Sequence, residues 1–156
     1  MKVLFVCLGN ICRSPLAEGI MKRKLKLLSL DSKVMVDSCG TSNYHIGDLP
    51  DSRTRLNAEK NGVRLDHRGR QLNVDDLDQF DFILAMDYSN HNNILSLAID
   101  KTLHNKVLLM REFDSEGTGE VPDPYYGGED GFQEVFDILD RSTDGFIAYL
   151  QSKGLI

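Results

Sequence analysis

Short apolar runs alternate with helical patterns along this chain of 156 residues. Apolar runs at residues 2–6, 33–37, 82–86 and 106–109 predict four strands. Helices are predicted over residues 14–30, 51–61, 88–99 and 134–151. Because strands and helices alternate, the pattern predicts an α/β fold with a parallel sheet.

The helical segments show where each helix is expected to be buried. The first carries an apolar stripe of Leu16, Ile20, Met21, Leu25 and Leu28. The last buries Val135, Phe136, Leu139, Phe146, Ile147 and Leu150, with an interruption expected around residues 144–145. Gly62 is expected to end the second helix. Residues 39–43 and 111–131 are predicted loops, and a loop as long as the second is often functional.

The first strand runs directly into a segment suited to binding an oxyanion. An apolar strand stops at Cys7, and a loop containing Gly9 and Asn10 follows, both tolerant of positive φ. Ser14 is a good N-cap and Pro15 suits the first helical position. Free backbone N–H groups and the dipole at such a helix start favour negative charge.

The same segment supplies a reactive group and a cation. The positive field lowers the pKa of a cysteine placed in it, which favours a Cys7 thiolate near neutral pH. Arg13 adds a planar fork of donors for two phosphate oxygens. Cys7, Asp87 and the loops after the second and fourth strands all lie at the carboxyl edge of the sheet, where open parallel sheets bind ligands. We therefore predict a phosphate-cleaving nucleophile at Cys7.

Two motifs resemble those of a known family. The run Val6-Cys7-Leu8-Gly9-Asn10-Ile11-Cys12-Arg13-Ser14-Pro15 resembles the signature of the low-molecular-weight protein tyrosine phosphatases. Asp123-Pro124-Tyr125-Tyr126-Gly127 resembles the general-acid loop of that family, and residues 67–71 and 82–87 resemble further family segments. The resemblance covers the whole chain. It implies a single domain, residues 1–156, with a flavodoxin/Rossmann-like three-layer sandwich: a four-stranded parallel sheet with helices on both faces.

The resemblance also implies an activity and roles for particular residues. The activity is hydrolysis of phosphotyrosine, or of aryl phosphate monoesters, through a phosphocysteine, without metal or cofactor. Cys7 is the implied nucleophile, Arg13 binds phosphate, and Asp123 is the general acid and base. The remaining phosphate donors are expected to be the loop N–H groups of Leu8, Gly9, Asn10, Ile11 and Cys12. Ser14 is expected to donate to the thiolate.

Further residues are expected to shape the site. Tyr44, Tyr125 and Tyr126 would form aromatic walls around a phenyl ring, with Leu8 as an apolar contact. Many relatives carry a tryptophan where Tyr44 falls, and this chain has no tryptophan. Asn10 and His67 resemble a pair that supports the loop, and Asp87 is expected to support it as well.

Three of these residues have a second interpretation from sequence alone. His67 fits a surface position equally well, and Asp123 precedes a proline as many turn residues do. Cys12 either forms a reversible disulfide with Cys7, which would protect the nucleophile from irreversible oxidation, or fills space under the loop.

Composition restricts the possible partners and location. A net charge of −6 argues against nucleic acid as the main partner, so phosphate affinity must be local. Three cysteines without a secreted-type spacing favour a reducing compartment, and we expect a cytoplasmic protein. No stretch approaches a membrane span, and the apolar run at the N-terminus is short for a signal peptide. The expected partners are tyrosine-phosphorylated proteins or small aryl phosphates, bound by a monomer or a weakly self-associating chain.

Two other functions compete with this hypothesis. A thiol-dependent arsenate reductase would share the anion loop, but it needs further thiols downstream, and no cysteine follows Cys39. A non-catalytic phosphopeptide-binding module would keep the donor loop but would not need Cys7, Ser14 and Asp123 together.

Overall fold

Four parallel strands form one sheet in a computed structural model that describes residues 1–156. The strands are β1 (Lys2–Cys7), β2 (Met35–Gly40), β3 (Phe82–Ala85) and β4 (Val107–Leu109). They lie in the order β2-β1-β3-β4, and each neighbouring pair is parallel. The predicted four-stranded parallel sheet is confirmed.

Helices cover both faces of the sheet. They are α1 (Arg13–Leu27), α2 (Ser52–Lys60), α3 (Val74–Gln79), α4 (Tyr88–Leu97) and α5 (Glu129–Ser152), with 3₁₀ turns at Lys101–Lys106 and Met110–Phe113. Successive side chains of β1 point to opposite faces, as in any strand. Val3 and Phe5 pack in the core that contains α1 and α5, while Leu4 and Val6 pack with residues of α3 and α4. The three-layer sandwich predicted from the family resemblance is confirmed, and no helix is both long enough and apolar enough to cross a membrane.

Several boundaries differ from the prediction. β2 begins at Met35 and continues to Gly40, so Cys39 and Gly40 are not loop residues but pair with Val6 and Cys7. A side chain on Gly40 would meet the Leu8 carbonyl oxygen at 2.6 Å, which explains why the strand ends in glycine here. The last residues of β2 therefore lie directly under the loop that follows β1.

The helices show three further differences. α1 ends at Leu27, and Leu28 lies outside it and half exposed, so it does not extend the buried stripe. The short helix α3 was not predicted; it begins with a capping box formed by Asn73 and Asp76. α2 ends as predicted, because Gly62 follows it with a φ of 77°.

Helix α5 is continuous, so the predicted interruption at residues 144–145 is wrong. It begins at Glu129 and runs to Ser152 without a break. Gly145 faces the backbone of Phe113, and a Cβ there would clash with the Phe113 carbonyl oxygen. Close packing against the second 3₁₀ turn, rather than a helix break, accounts for this glycine.

Candidate active site

The predicted chemical groups meet at the carboxyl edge of the sheet. β1 ends at Cys7, β3 leads to Asp87, and the loop of residues 114–128 crosses the same edge. A cavity of about 310 Å³ lies there. It is lined by Cys7, Leu8, Gly9, Ile11, Cys12, Arg13, Tyr44, His45, Asp123, Tyr125 and Tyr126. Of these residues, only His45 was not singled out by the sequence.

The loop from Cys7 to Ser14, here the 7–14 loop, curls around the Cys7 sulfur. Asn10 has a φ of 57°, and its N–H donates to Cys7 Sγ at 3.3 Å. The expected positive φ therefore falls on Asn10 and not on Gly9. No protein acceptor takes the N–H groups of Leu8, Gly9, Ile11 and Cys12. These donors are free to bind an anion.

Ser14 does not cap helix α1 as predicted. The helix begins at Arg13, with Cys12 in the cap position and no side-chain cap. The Ser14 hydroxyl instead lies 3.0 Å from Cys7 Sγ and 3.3 Å from the Cys39 carbonyl oxygen. Pro15 occupies the third helical position, where its missing N–H costs no hydrogen bond. The contact that the family resemblance implied between Ser14 and Cys7 is present.

The Asn10 side chain holds the 7–14 loop in place. Its Oδ1 accepts from the Arg70 N–H at 3.1 Å and lies 2.8 Å from His67 Nε2. Its Nδ2 donates to the hydroxyls of Ser14 at 2.8 Å and Ser38 at 3.0 Å. Asn10 is 1% exposed; its bonds to Ser14 and Ser38 are buried, and those to His67 and Arg70 are partly buried. The expected pairing of Asn10 with His67 is thus part of a larger buried network.

His67 connects that network to two carboxylates that the sequence did not reveal. Its Nδ1 lies 3.1 Å from Glu18 Oε2 and 3.7 Å from Asp37 Oδ1. Burial opposes ionisation of Glu18, but hydrogen bonds from His67, Lys22 and Ser38 outweigh it and lower the pKa of that carboxyl. Since only 11% of the His67 side chain is exposed, its interpretation as a surface residue is not supported.

His67, Glu18 and Asp37 are also the one group whose donor atoms are close enough to hold a metal ion, all within 4.8 Å of one another. Each carboxylate already has a cationic partner, however. Lys22 Nζ lies 2.5 Å from Glu18, and Arg70 Nε donates to Asp37 at 3.0 Å. The negative charges of the two carboxylates are therefore balanced by protein cations. The group supports the 7–14 loop through the contact between His67 and Asn10.

Arg13 is held between two carboxylates. Its NH1 donates to Asp87 Oδ2 at 2.7 Å and to the Val121 carbonyl oxygen at 3.0 Å. Its NH2 lies 3.5 Å from Asp123 Oδ2. Burial opposes the charge of Arg13, but Cys7 and Asp87 outweigh it and raise the pKa of the guanidinium. Asp87 thus lies where structural support was expected, and Arg13 joins Asp87 to Asp123.

Asp123 and the tyrosines form the outer part of the cavity. The Asp123 side chain is 41% exposed, and its Oδ1 accepts from the Tyr125 N–H at 3.1 Å, which is typical of a turn. The rings of Tyr125 and Tyr126 meet edge to face at 5.0 Å, and Tyr44 lines the same cavity. Arg53, which no sequence motif indicates, lies over the Tyr125 ring at 5.3 Å. Asp123 therefore has both a turn role and access to the cavity.

The other cysteines differ from Cys7 in their surroundings. Burial raises the pKa of the Cys12 thiol to about 12, despite an opposing contribution from Thr54. Burial also raises the pKa of Cys39 well above its usual value. All three cysteines are free thiols. Cys12 packs with Ile11 and Phe132 under the loop, so the space-filling contact is present and the disulfide with Cys7 stays a prediction.

Together, these contacts indicate which chemical steps the site can perform. A sulfur nucleophile lies at the centre of a loop of free N–H donors and beside a buried guanidinium, which suits a tetrahedral oxyanion. A carboxyl group lies on the outer side of the same guanidinium, where it can exchange a proton with a group leaving the oxyanion.

Comparison with known proteins agrees with this geometry. The family model described as "low molecular weight phosphotyrosine protein phosphatase" matches residues 2–155. A Synechocystis protein described as a putative low molecular weight protein-tyrosine-phosphatase is 46% identical over 96% of both chains. The crystal structure of an Entamoeba histolytica protein tyrosine phosphatase, with Hepes in its active site, superposes with a TM-score of 0.95 at 42% identity, covering 99% of each chain. YfkJ from Bacillus subtilis superposes with a TM-score of 0.91 at 35% identity, covering 98% of this chain and 96% of that one.

Proposed function

Because this chain belongs to the low molecular weight phosphotyrosine protein phosphatase family, we propose that it hydrolyses aryl phosphate monoesters through a phosphocysteine on Cys7. Protein-tyrosine phosphatases are phosphoric monoester hydrolases, and the chain belongs to that class. The observation that carries the mechanism is the position of Cys7 Sγ, which accepts from the Asn10 N–H inside a loop of free donors. Arg13 and Asp123 line the same cavity as Cys7, and their charged groups lie 3.5 Å apart.

In the first step, the Cys7 thiolate attacks phosphorus and the bond to the phenolic oxygen breaks. The free N–H groups of the 7–14 loop, with the Nε and NH2 groups of Arg13, hold the equatorial oxygens as their charge shifts. Protonated Asp123 gives its proton to the departing phenolate. The products of this step are the phenol and the phosphocysteine.

In the second step, water attacks the phosphocysteine and the sulfur–phosphorus bond breaks. Asp123, now a carboxylate, takes a proton from that water, and inorganic phosphate leaves. The thiolate that is released accepts from the Asn10 N–H and from Ser14, whose hydroxyl lies 3.0 Å away. These two donors lower the barrier by stabilising sulfur as a leaving group.

The outer part of the cavity supports an aromatic substrate. Tyr125 is 39% exposed, while Tyr44 and Tyr126 are largely exposed, so the walls are open to solvent. Such walls bury a phenyl ring attached to a much larger molecule. We therefore propose tyrosine-phosphorylated proteins, or small aryl phosphates, as the substrates of a monomeric or weakly self-associating enzyme.

Two further properties belong to the same proposal. A net charge of −6 disfavours nucleic acid as a partner. A nucleophilic cysteine must stay reduced, and all three cysteines are free thiols, which supports function in a reducing compartment such as the cytoplasm.

The alternatives lack a supporting observation. An arsenate reductase would need a relay of thiols, but no cysteine follows Cys39, and Cys39 is fully buried. A phosphopeptide-binding module would not need a carboxyl group on the outer side of Arg13, where Asp123 lies.

The test is hydrolysis of p-nitrophenyl phosphate in the presence of a metal chelator, from about pH 4.5 to about pH 8. Cys7→Ser should abolish turnover. Asp123→Ala should lower kcat about a hundredfold and flatten its pH dependence, because the proton donor is gone. Asp130→Ala removes an exposed carboxylate that does not line the cavity; it is the matched control and should retain parental rates. Substantial turnover by Cys7→Ser would refute the phosphocysteine.

A further inference from the structure

A second groove of the molecule is lined by helix α1 and shares no lining residue with the cavity at Cys7. It has a volume of about 660 Å³ and runs between α1 and residues 62–67. Gly19 allows this close approach, because a Cβ there would clash with the Leu65 side chain. The groove is therefore formed by the packing of α1 against residues 62–67.

Positive charge is concentrated in this groove although the whole chain is acidic. Four cationic side chains line it, Lys22, Arg23, Lys26 and Arg64, against the carboxylates of Glu18 and Asp66, while the net charge of the chain is −6. The cations outnumber the carboxylates by four to two, and a cleft with an excess of one sign of charge concentrates counter-ions of the other sign.

Three of these cations have no anionic partner in the protein, and the side chains of two of the three have no partner at all. Lys22 pairs with Glu18 at 2.5 Å, and the Arg23 guanidinium donates to the Asn61 carbonyl oxygen at 3.2 Å. The side chains of Lys26 and Arg64 take part in no hydrogen bond and no ion pair. Both are exposed and free to meet a ligand. A surface that holds uncompensated cations around a concave floor is suited to a polyanion.

The floor of the groove is connected to the nucleophile. Glu18 and His67 line the groove, and only 5% and 11% of their side chains are exposed. His67 Nε2 lies 2.8 Å from Asn10 Oδ1, and Asn10 Nδ2 donates to Ser14, whose hydroxyl touches Cys7. A short chain of buried hydrogen bonds thus joins the groove to the sulfur.

We propose that this groove binds a compact polyphosphate, either free inorganic polyphosphate or the phosphate chain of a nucleotide. The phosphates contact Lys26 and Arg64, and draw Lys22 away from Glu18. Glu18 then loses one of the donors that hold it against His67, and the change reaches Asn10 and Ser14. Binding itself does not depend on the proposed phosphatase activity, whereas the effect on the reaction rate rests on it.

Binding is tested by titrating inorganic triphosphate, and separately ATP, into the full chain whose 7–14 loop is saturated with inorganic phosphate. Isothermal titration calorimetry gives the affinity, and histidine side-chain NMR reports on His67. The test variant is Lys26→Glu with Arg64→Glu. The matched control is Lys33→Glu with Lys101→Glu, because both lysines are exposed, lack ion pairs and give the same change in net charge.

We expect a Kd below about 1 mM for triphosphate, weakened by at least about tenfold in the test variant and not in the control. The His67 signals should shift in the parent on titration. If ATP binds and triphosphate does not, the ligand is the nucleotide. If triphosphate binds and ATP does not, the ligand is inorganic polyphosphate. Absence of binding, or an equal loss in the control, overturns the proposal and leaves the proposed function untouched.

The rate is measured separately with p-nitrophenyl phosphate. Binding in the groove should change kcat, whereas occupation of the 7–14 loop alone would raise KM at constant kcat. A polyphosphate that binds without any change in kcat would refute the connection to the nucleophile. A protein that binds polyphosphate but never hydrolyses the ester would refute the proposed function and not the groove.

Discussion

Replacing Asn10 tests whether the buried network, rather than the loop sequence alone, sets the shape of the 7–14 loop. The Asn10 side chain contacts His67, the Arg70 N–H, Ser14 and Ser38, and its backbone has a φ of 57°. Asn10→Gly removes the side-chain bonds but keeps the freedom to adopt that φ. Asn10→Ala removes the same bonds and adds the steric cost of positive φ.

The expected loss follows from these contacts. A hydrogen bond contributes about 1 kcal/mol net, so these four, two buried and two partly buried, give a loss of about 4 kcal/mol in the free energy of unfolding for Asn10→Gly. Asn10→Ala should lose about 1 kcal/mol more, because Cβ crowds the carbonyl at positive φ. Both losses are large beside a typical total of about 5–15 kcal/mol.

Urea denaturation gives the free energy of unfolding, and p-nitrophenyl phosphate hydrolysis gives kcat/KM on the same samples. Ser29→Gly is the control, because Ser29 is the other non-glycine residue at positive φ and is exposed. That variant should be as stable as the parent or slightly more stable. If Asn10→Gly loses less than about 1 kcal/mol, the network does not hold the loop and the reasoning fails.

Three other changes have defined outcomes. Two arginines hold the pKa of the buried Asp114 at about 2, against the opposing effect of burial, so Asp114→Asn should cost about 2 kcal/mol in urea denaturation at pH 7. Because the pKa is lowered in the folded state, that difference should shrink as the pH falls from about 4 towards 2; a constant difference would contradict the assignment. Gly40→Ala should reduce kcat/KM, since its Cβ would lie 2.6 Å from a backbone oxygen of the 7–14 loop, whereas Gly131→Ala, with open space around it, should not. Iodoacetamide at pH 7 should alkylate Cys7 before Cys12, whose pKa of about 12 keeps it protonated; mass spectrometry showing Cys12 modified first would refute this.

Features determined by neighbouring residues were predictable from the sequence. The strand before Cys7 is a continuous apolar run, and Asn10 is a residue type that tolerates positive φ, so both could be inferred locally. The same reasoning failed at Ser14, because a serine near a helix start has two uses. Here the Ser14 hydroxyl hydrogen-bonds to the Cys7 sulfur instead of capping the N-terminus of helix α1.

Features determined by distant residues were not predictable. Glu18 and Ser38 lie on different elements, and nothing in either local pattern indicates that they meet at 2.6 Å beneath the loop. Gly145 predicts a helix break, since glycine is a poor helix former, but its close packing against Phe113 outweighs that preference. Helix α3 is too short to show a helical period, although Asn73 and Asp76 carried a capping signal.

The charges around Arg13 indicate which groups bind the phosphate. The NH1 group of Arg13 is already taken by Asp87 and Val121, and its NH2 group faces Asp123. Two carboxylates therefore offset one guanidinium, and the chain as a whole carries −6. Net charge cannot attract a phosphate dianion to this cavity, so the free N–H groups of the 7–14 loop must supply much of the affinity. It follows that changes to the shape of the loop should weaken phosphate binding as strongly as loss of the guanidinium does.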